Sequence, residues 1–142
     1  MTTLYEKDFC AWSEQQSKLL LDKRWDEIDI EHLVEEVIDL RSSTKHALRS
    51  HLKNLIMHLL KYTFQPELRS RSWSCSIAEA REQVEDILEE NSSLKRTLPE
   101  ILCKTYEAAS RKASRETGID IRTFPKVCPW TIEEILDTKH GE

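Results

Sequence analysis

Residues 30–64 read IEHLVEEVIDLRSSTKHALRSHLKNLIMHLLKYTF, from Ile30 to Phe64, with no glycine or proline among them. Steps of 3.6 residues from Ile30 land on Val34, Val37, Leu40 or Arg41, Thr44, Leu48, Leu52, Leu55, Leu59 and Tyr62. Side chains at that spacing share one face of an α-helix. The spacing predicts one helix, about 50 Å long at 1.5 Å per residue. Its weak point is Ser42-Ser43-Thr44, three residues whose hydroxyls compete for backbone hydrogen bonds. A break there would make two helices of ordinary length.

On the N-terminal side of this segment, Asp29 is a good N-cap for it, and Trp25 and Ile28 sit in a short connector. A first helix is expected from about Tyr5 to Leu21, with Tyr5, Phe9, Trp12, Leu19 and Leu20 on one side. On the C-terminal side, residues 65–72 form the main loop around Pro66. A helix from near Ser74 to Glu90 should turn Trp73, Ile77, Ala80, Val84, Ile87 and Leu88 inward. The next carries Leu94, Leu98, Ile101, Leu102, Tyr106, Ala109 and Ala113, is begun or kinked by Pro99, and is ended by Gly118. Thr131 and Glu134 fit a capping box for a short last helix from Ile132 to Asp137. The expected fold is all-α: one domain over residues 1–142, a helical bundle with a long central helix and an irregular C-terminal strap. Its core should contain Tyr5, Trp12, Leu48, Leu52, Leu55, Leu59, Trp73, Ile77, Val84, Ile101, Leu102 and Tyr106.

Composition agrees. Two glycines and four prolines in 142 residues are too few for a loop-rich or all-β design, and 33% charged against 39% hydrophobic residues suits a well-solvated globular chain. Cys10, Cys75, Cys103 and Cys128 are far apart, with no C-x-x-C pair to begin a zinc site. The residues from Met1 to Asp8 lack the apolar run of a signal peptide. Leu55-Ile56-Met57 is interrupted by His58, far short of a membrane span. A cytoplasmic protein with free thiols, no membrane association, no cofactor and no metal is expected.

Several stretches carry a resemblance. They are Tyr5-Glu6-Lys7-Asp8-Phe9 with Trp12, Leu33-Val34-Glu35-Glu36-Val37-Ile38-Asp39-Leu40, His58-Leu59-Leu60-Lys61-Tyr62 and Gln65-Pro66-Glu67. Further on come Arg69-Ser70-Arg71-Ser72-Trp73, Glu116-Thr117-Gly118, and Phe124-Pro125 through Cys128-Pro129-Trp130-Thr131. In order, over nearly the whole chain, they resemble the bacterial family named Domain of Unknown Function 29. The resemblance implies an all-α fold in small, largely cyanobacterial proteins, and it implies no activity. Members often carry glycine near the Leu40–Arg41 junction. Arg41 is a better helix former, which favours an unbroken helix here.

Function has to be sought in charge. From Asp26 to Asp39 there are seven acids (Asp26, Glu27, Asp29, Glu31, Glu35, Glu36, Asp39) and no Lys or Arg. From Leu40 to Ala78 there are seven bases (Arg41, Lys45, Arg49, Lys53, Lys61, Arg69, Arg71) against one acid, Glu67. The net charge is −5, so this is segregation rather than excess. Acids early in a helix and bases later suit the macrodipole, but only over the end turns.

Three functional readings follow. The first is an interaction or adaptor module without catalysis, self-associating or binding another protein. Two such helices, antiparallel and crossing near Ala47, would set acidic half against basic half and bring Glu36 level with the partner's His58. The second is nucleic-acid binding through Arg41, Lys45, Arg49, Lys53, Arg69 and Arg71, with Trp73 available to stack a base. The third is an enzyme with an interface site at Glu36, His51 and His58. Within one chain a straight helix holds Glu36 and His58 about 33 Å apart. No G-x-S-x-G elbow, phosphate-binding glycine loop or H-E-x-x-H motif is present, and no single residue stands out as catalytic.

Overall fold

The computed structural model describes residues 2–141. Among them there is helix and no strand. The backbone falls into two compact units, one up to Ser43 and one from Thr44 onward.

The first unit opens with α1 (Leu4–Lys7) and α2 (Phe9–Leu21), where the periodicity predicts one helix. Asp8 is the reason. Its φ of −150° and ψ of 89° end α1, while its carboxylate accepts the Ala11 N–H at 3.0 Å and so caps α2. Thr3 and Glu6 form a reciprocal capping box on α1. Past α2, Lys23 takes a left-handed φ of 56° that turns the chain. A 3-10 turn over Trp25–Glu27 follows, and then α3 (Ile30–Phe64) begins. Asp29 Oδ1 accepts the His32 N–H at 3.4 Å, as expected of an N-cap.

The helix α3 continues through Ser42, Ser43 and Thr44 without a break. No glycine or proline stands between Ile30 and Phe64, and Arg41 and Lys45 on either side of these three residues are good helix formers.

The second unit is a bundle of residues 44–64 of α3 with α4 (Arg71–Glu90), α5 (Leu98–Thr117) and α6 (Ile132–Leu136). Leu48, Leu52, Leu55, Ile56, Leu59 and Leu60 are fully buried, in one cluster with Ile77, Val84, Leu88, Leu98, Tyr106, Ala109 and Ala113. The helix α4 starts three residues earlier than the apolar pattern suggests, because the Ser70 hydroxyl accepts the Trp73 N–H at 3.2 Å. A 3-10 stretch over Ser92–Thr97 precedes Pro99, and Gly118 ends α5 with φ +78°.

The strap beyond is pinned from below. Phe124 is buried with its ring edge-on to Phe64 at 5.1 Å, and the Tyr106 hydroxyl donates to the Pro125 carbonyl at 2.5 Å. Arg81, only 4% exposed, donates to the Ile135 carbonyl at 3.1 Å and the His140 carbonyl at 2.6 Å. Eight of the twelve expected core residues are buried. Tyr5, Trp73, Ile101 and Leu102 are half-buried instead. Trp73 stands in the first turn of α4 and carries the Lys61 ammonium 5.2 Å from its ring centre.

Candidate functional site: an apolar groove in the first unit

Three helical segments of the first unit meet around a polar knot. The Trp12 indole N–H donates to Asp29 Oδ2 at 3.0 Å, and His32 Nδ1 lies 2.6 Å from the same oxygen. Gln16, buried, accepts the Asp29 backbone N–H at 2.8 Å. The Tyr5 ring stacks on His32 at 4.0 Å, and its hydroxyl donates to Glu36 Oε1 at 2.5 Å. The His32 hydrogen bond holds the Asp29 carboxyl below its ordinary value, and the same bond raises the imidazole of His32. The bond to Glu36 pushes the Tyr5 phenol up to about 12, with burial and the nearby acids adding to it.

This knot fixes α2 against the start of α3 from one side and leaves another side of α3 bare. Ten of the thirteen exposed large apolar side chains lie in the first unit. Eight residues line a groove of about 450 Å³: Leu20, Trp25 and Ile28 on one wall, and Ile30, Leu33, Val34, Val37 and Ile38 along α3. Ile30 is 64% exposed, Val34 51% and Val37 64%. Leu48, Leu52, Leu55 and Leu59 continue the same 3.6-residue series and are fully buried. Isolated exposed leucines need no explanation, but here eight apolar residues line one contiguous surface.

The sequence-derived polar candidates divide between the units. Glu36 belongs to the first, where Tyr5 occupies its carboxylate. His51 and His58 belong to the second and are half-buried. Burial lowers the affinity of His58 for a proton, and Lys61 adds to that. Among the described residues no group of three His, Cys, Asp or Glu side chains could hold a metal ion.

Of the basic candidates, Arg41, Arg49, Arg69 and Arg71 are exposed, while Lys45 and Lys53 are half-buried. Arg69 lies over the Tyr62 ring at 4.2 Å and donates to the Tyr62 carbonyl at 2.8 Å. Lys61 pairs with Glu116 at 3.4 Å. No helix among the described residues is long and apolar enough to cross a membrane.

The groove as such is not visible in the sequence. Its α3 wall belongs to the apolar series from Ile30 to Tyr62, but nothing in a periodic pattern says which turns of a helix its own chain will cover. No curated protein and no solved structure matches the chain. The family described as Domain of unknown function DUF29 matches residues 4–140, and the chain belongs to it.

Proposed function

We propose that this protein is a helical interaction module whose docking face is the groove between α2 and the first turns of α3. The observation that carries this reading is the exposure of Ile30, Val34 and Val37 on a helix whose later turns bury every equivalent residue from Leu48 to Leu59. Leaving that much apolar surface in water is unfavourable by about 25 cal/mol per Å². A partner that covers it recovers that free energy.

On this reading the contact lies away from the Ala47 crossing expected from sequence. A crossing at Ala47 would centre on turns whose apolar face the second unit already fills. The bare apolar turns lie before Arg41. The nucleic-acid alternative is supported by the exposed Arg41, Arg49 and Arg71. It is weakened by Lys61, which is paired with Glu116, and by Arg69, which is held on Tyr62. The enzyme alternative has Glu36 engaged by Tyr5.

The deciding experiment is a pull-down from native lysate, with and without nuclease, comparing the wild-type chain with Val34→Glu/Val37→Glu. A protein retained by the wild type in both arms and lost by the variant is expected. Equal retention by the two chains, or retention that nuclease abolishes, would overturn the reading.

A further inference from the structure

Resting on the groove as the docking face, we infer that its partner is a basic amphipathic helix from another protein. Two independent features of the groove select it, one geometric and one electrostatic.

The geometric feature is the α3 wall. Ile30, Val34 and Val37 stand at i, i+4 and i+7, so they form a straight apolar ridge of about two turns, roughly 10 Å long at 1.5 Å per residue. Leu20, Trp25 and Ile28 line the same shallow trough beside it. A trough of that kind receives another helix through its own i, i+3 and i+7 side chains.

The electrostatic feature is the rim. Glu31 is three residues from Val34 and so borders the ridge, and Glu35 is three from Ile38 and so borders the groove at its Ile38 edge. Asp26 adjoins Trp25 on the other wall. All three are exposed, and among the described residues none has a side-chain hydrogen bond or ion pair. Glu27 is the rim acid that does have one, with Arg24.

Up to Ser43 the chain holds eleven acids against five bases, whereas the remainder holds sixteen bases and fifteen acids. That balance decides between occupants. A second copy would set one strongly acidic unit on another, and like charges brought together at an interface are penalised. This chain's own basic stretch cannot fill the groove either, because the apolar side of its helical part, Leu48 to Leu59, is already buried. Nucleic-acid phosphates and anionic lipid surfaces are repelled by the same acids. A helix with leucines on one side and lysines or arginines flanking them satisfies both the trough and its rim.

The test uses the full chain and two synthetic helical peptides, one of leucine and lysine and one with glutamate in place of every lysine. Binding is followed by calorimetry and by the methyl NMR signals of Ile30, Val34, Val37 and Ile38. The lysine peptide should bind at least about tenfold more tightly than the glutamate peptide, and should weaken as salt is raised. Glu31→Gln/Glu35→Gln should shrink that preference while leaving the methyl shifts in place. Val34→Glu/Val37→Glu adds negative charge yet should abolish binding, which separates a groove contact from general attraction to an acidic protein.

Equal binding of both peptides in the groove would overturn the basic-partner inference and leave the docking face standing. A dimer in sedimentation that Val34→Glu/Val37→Glu dissolves would do the same, with a second copy as the occupant. Absence of any methyl shift with either peptide, together with a monomer in sedimentation, would remove both.

Discussion

The Tyr5 hydroxyl donates to the Glu36 carboxylate at 2.5 Å, joining residues thirty-one positions apart in sequence. This bond ties α1 to the second turn of α3, and the Tyr5 ring meanwhile stacks on His32 one turn earlier. The phenol is pushed up to about 12 because ionising it would lose the bond it donates to Glu36 and set a phenolate against that carboxylate. On the alkaline side the contribution of this bond is full at the ordinary tyrosine value of 10.0 and is lost as pH rises through about 12. Glu36→Gln should bring the Tyr5 titration back toward 10.0, read as phenolate absorbance with Tyr5→Phe as the blank.

His32 and Asp29 make a second pH-dependent pair. The imidazole is raised above 6.5 by its bond to Asp29, so its contribution is full below 6.5 and is lost as pH rises through the higher folded value. The Asp29 carboxyl is lowered below 3.8, so its contribution is full above 3.8 and is lost as pH falls through the lower folded value. The pair is at full strength between 3.8 and 6.5. NMR titration of His32 should show a midpoint above 6.5, and Asp29→Asn should shift it down. A midpoint unchanged by that substitution would refute the assignment.

One helix carries two kinds of apolar residue, and substitutions should tell them apart. Leu55 is fully buried in the core of the second unit, and Leu55→Ala should cost about 2–5 kcal/mol in denaturant unfolding through the cavity it leaves. Val37 is 64% exposed, and Val37→Ala should fall within about 0.5 kcal/mol of wild type. A large cost at Val37 in the isolated chain would mean its face is covered after all.

The two glycines separate backbone strain from crowding. Gly118 has φ +78°, and a methyl group added there would meet only open space, so Gly118→Ala should cost about 1–2 kcal/mol from the left-handed backbone alone. Gly141 has φ +94°, and a Cβ there would meet Ile77 Cδ1 at 2.9 Å. Gly141→Ala should therefore destabilise the second unit more than Gly118→Ala does, with thermal unfolding as the measure.

Thiol labelling offers a check on the strap. Cys10, Cys75 and Cys103 are exposed, whereas Cys128 is half-buried, donates to the Trp130 carbonyl at 3.3 Å, and has its thiol raised by burial. Three thiols should react rapidly with a disulfide reagent at neutral pH and Cys128 slowly. Trp130→Ala keeps the carbonyl that accepts from Cys128 but removes the ring packed against the core, and should speed the fourth by opening the strap.

Sequence alone determined the helices, because a helix is a local object. The apolar period from Ile30 to Tyr62, the absence of breakers between Ile30 and Phe64, and the stop at Gly118 are each decided by neighbours within a turn or two. Even the ends that periodicity misplaces, at Asp8 and Ser70, turn on a side-chain cap three residues from the N–H it accepts, which is also a local signal. Tertiary structure decided everything that depends on distant residues. It engaged the Glu36 carboxylate with Tyr5 and gathered Trp12 and His32 on Asp29. It also covered Leu48, Leu52, Leu55 and Leu59 while leaving Ile30, Val34 and Val37 in water. Those two groups obey one periodicity, and periodicity records only which face of a helix is apolar. Whether a given turn of that face is covered depends on where the rest of the chain runs, and no local pattern encodes that.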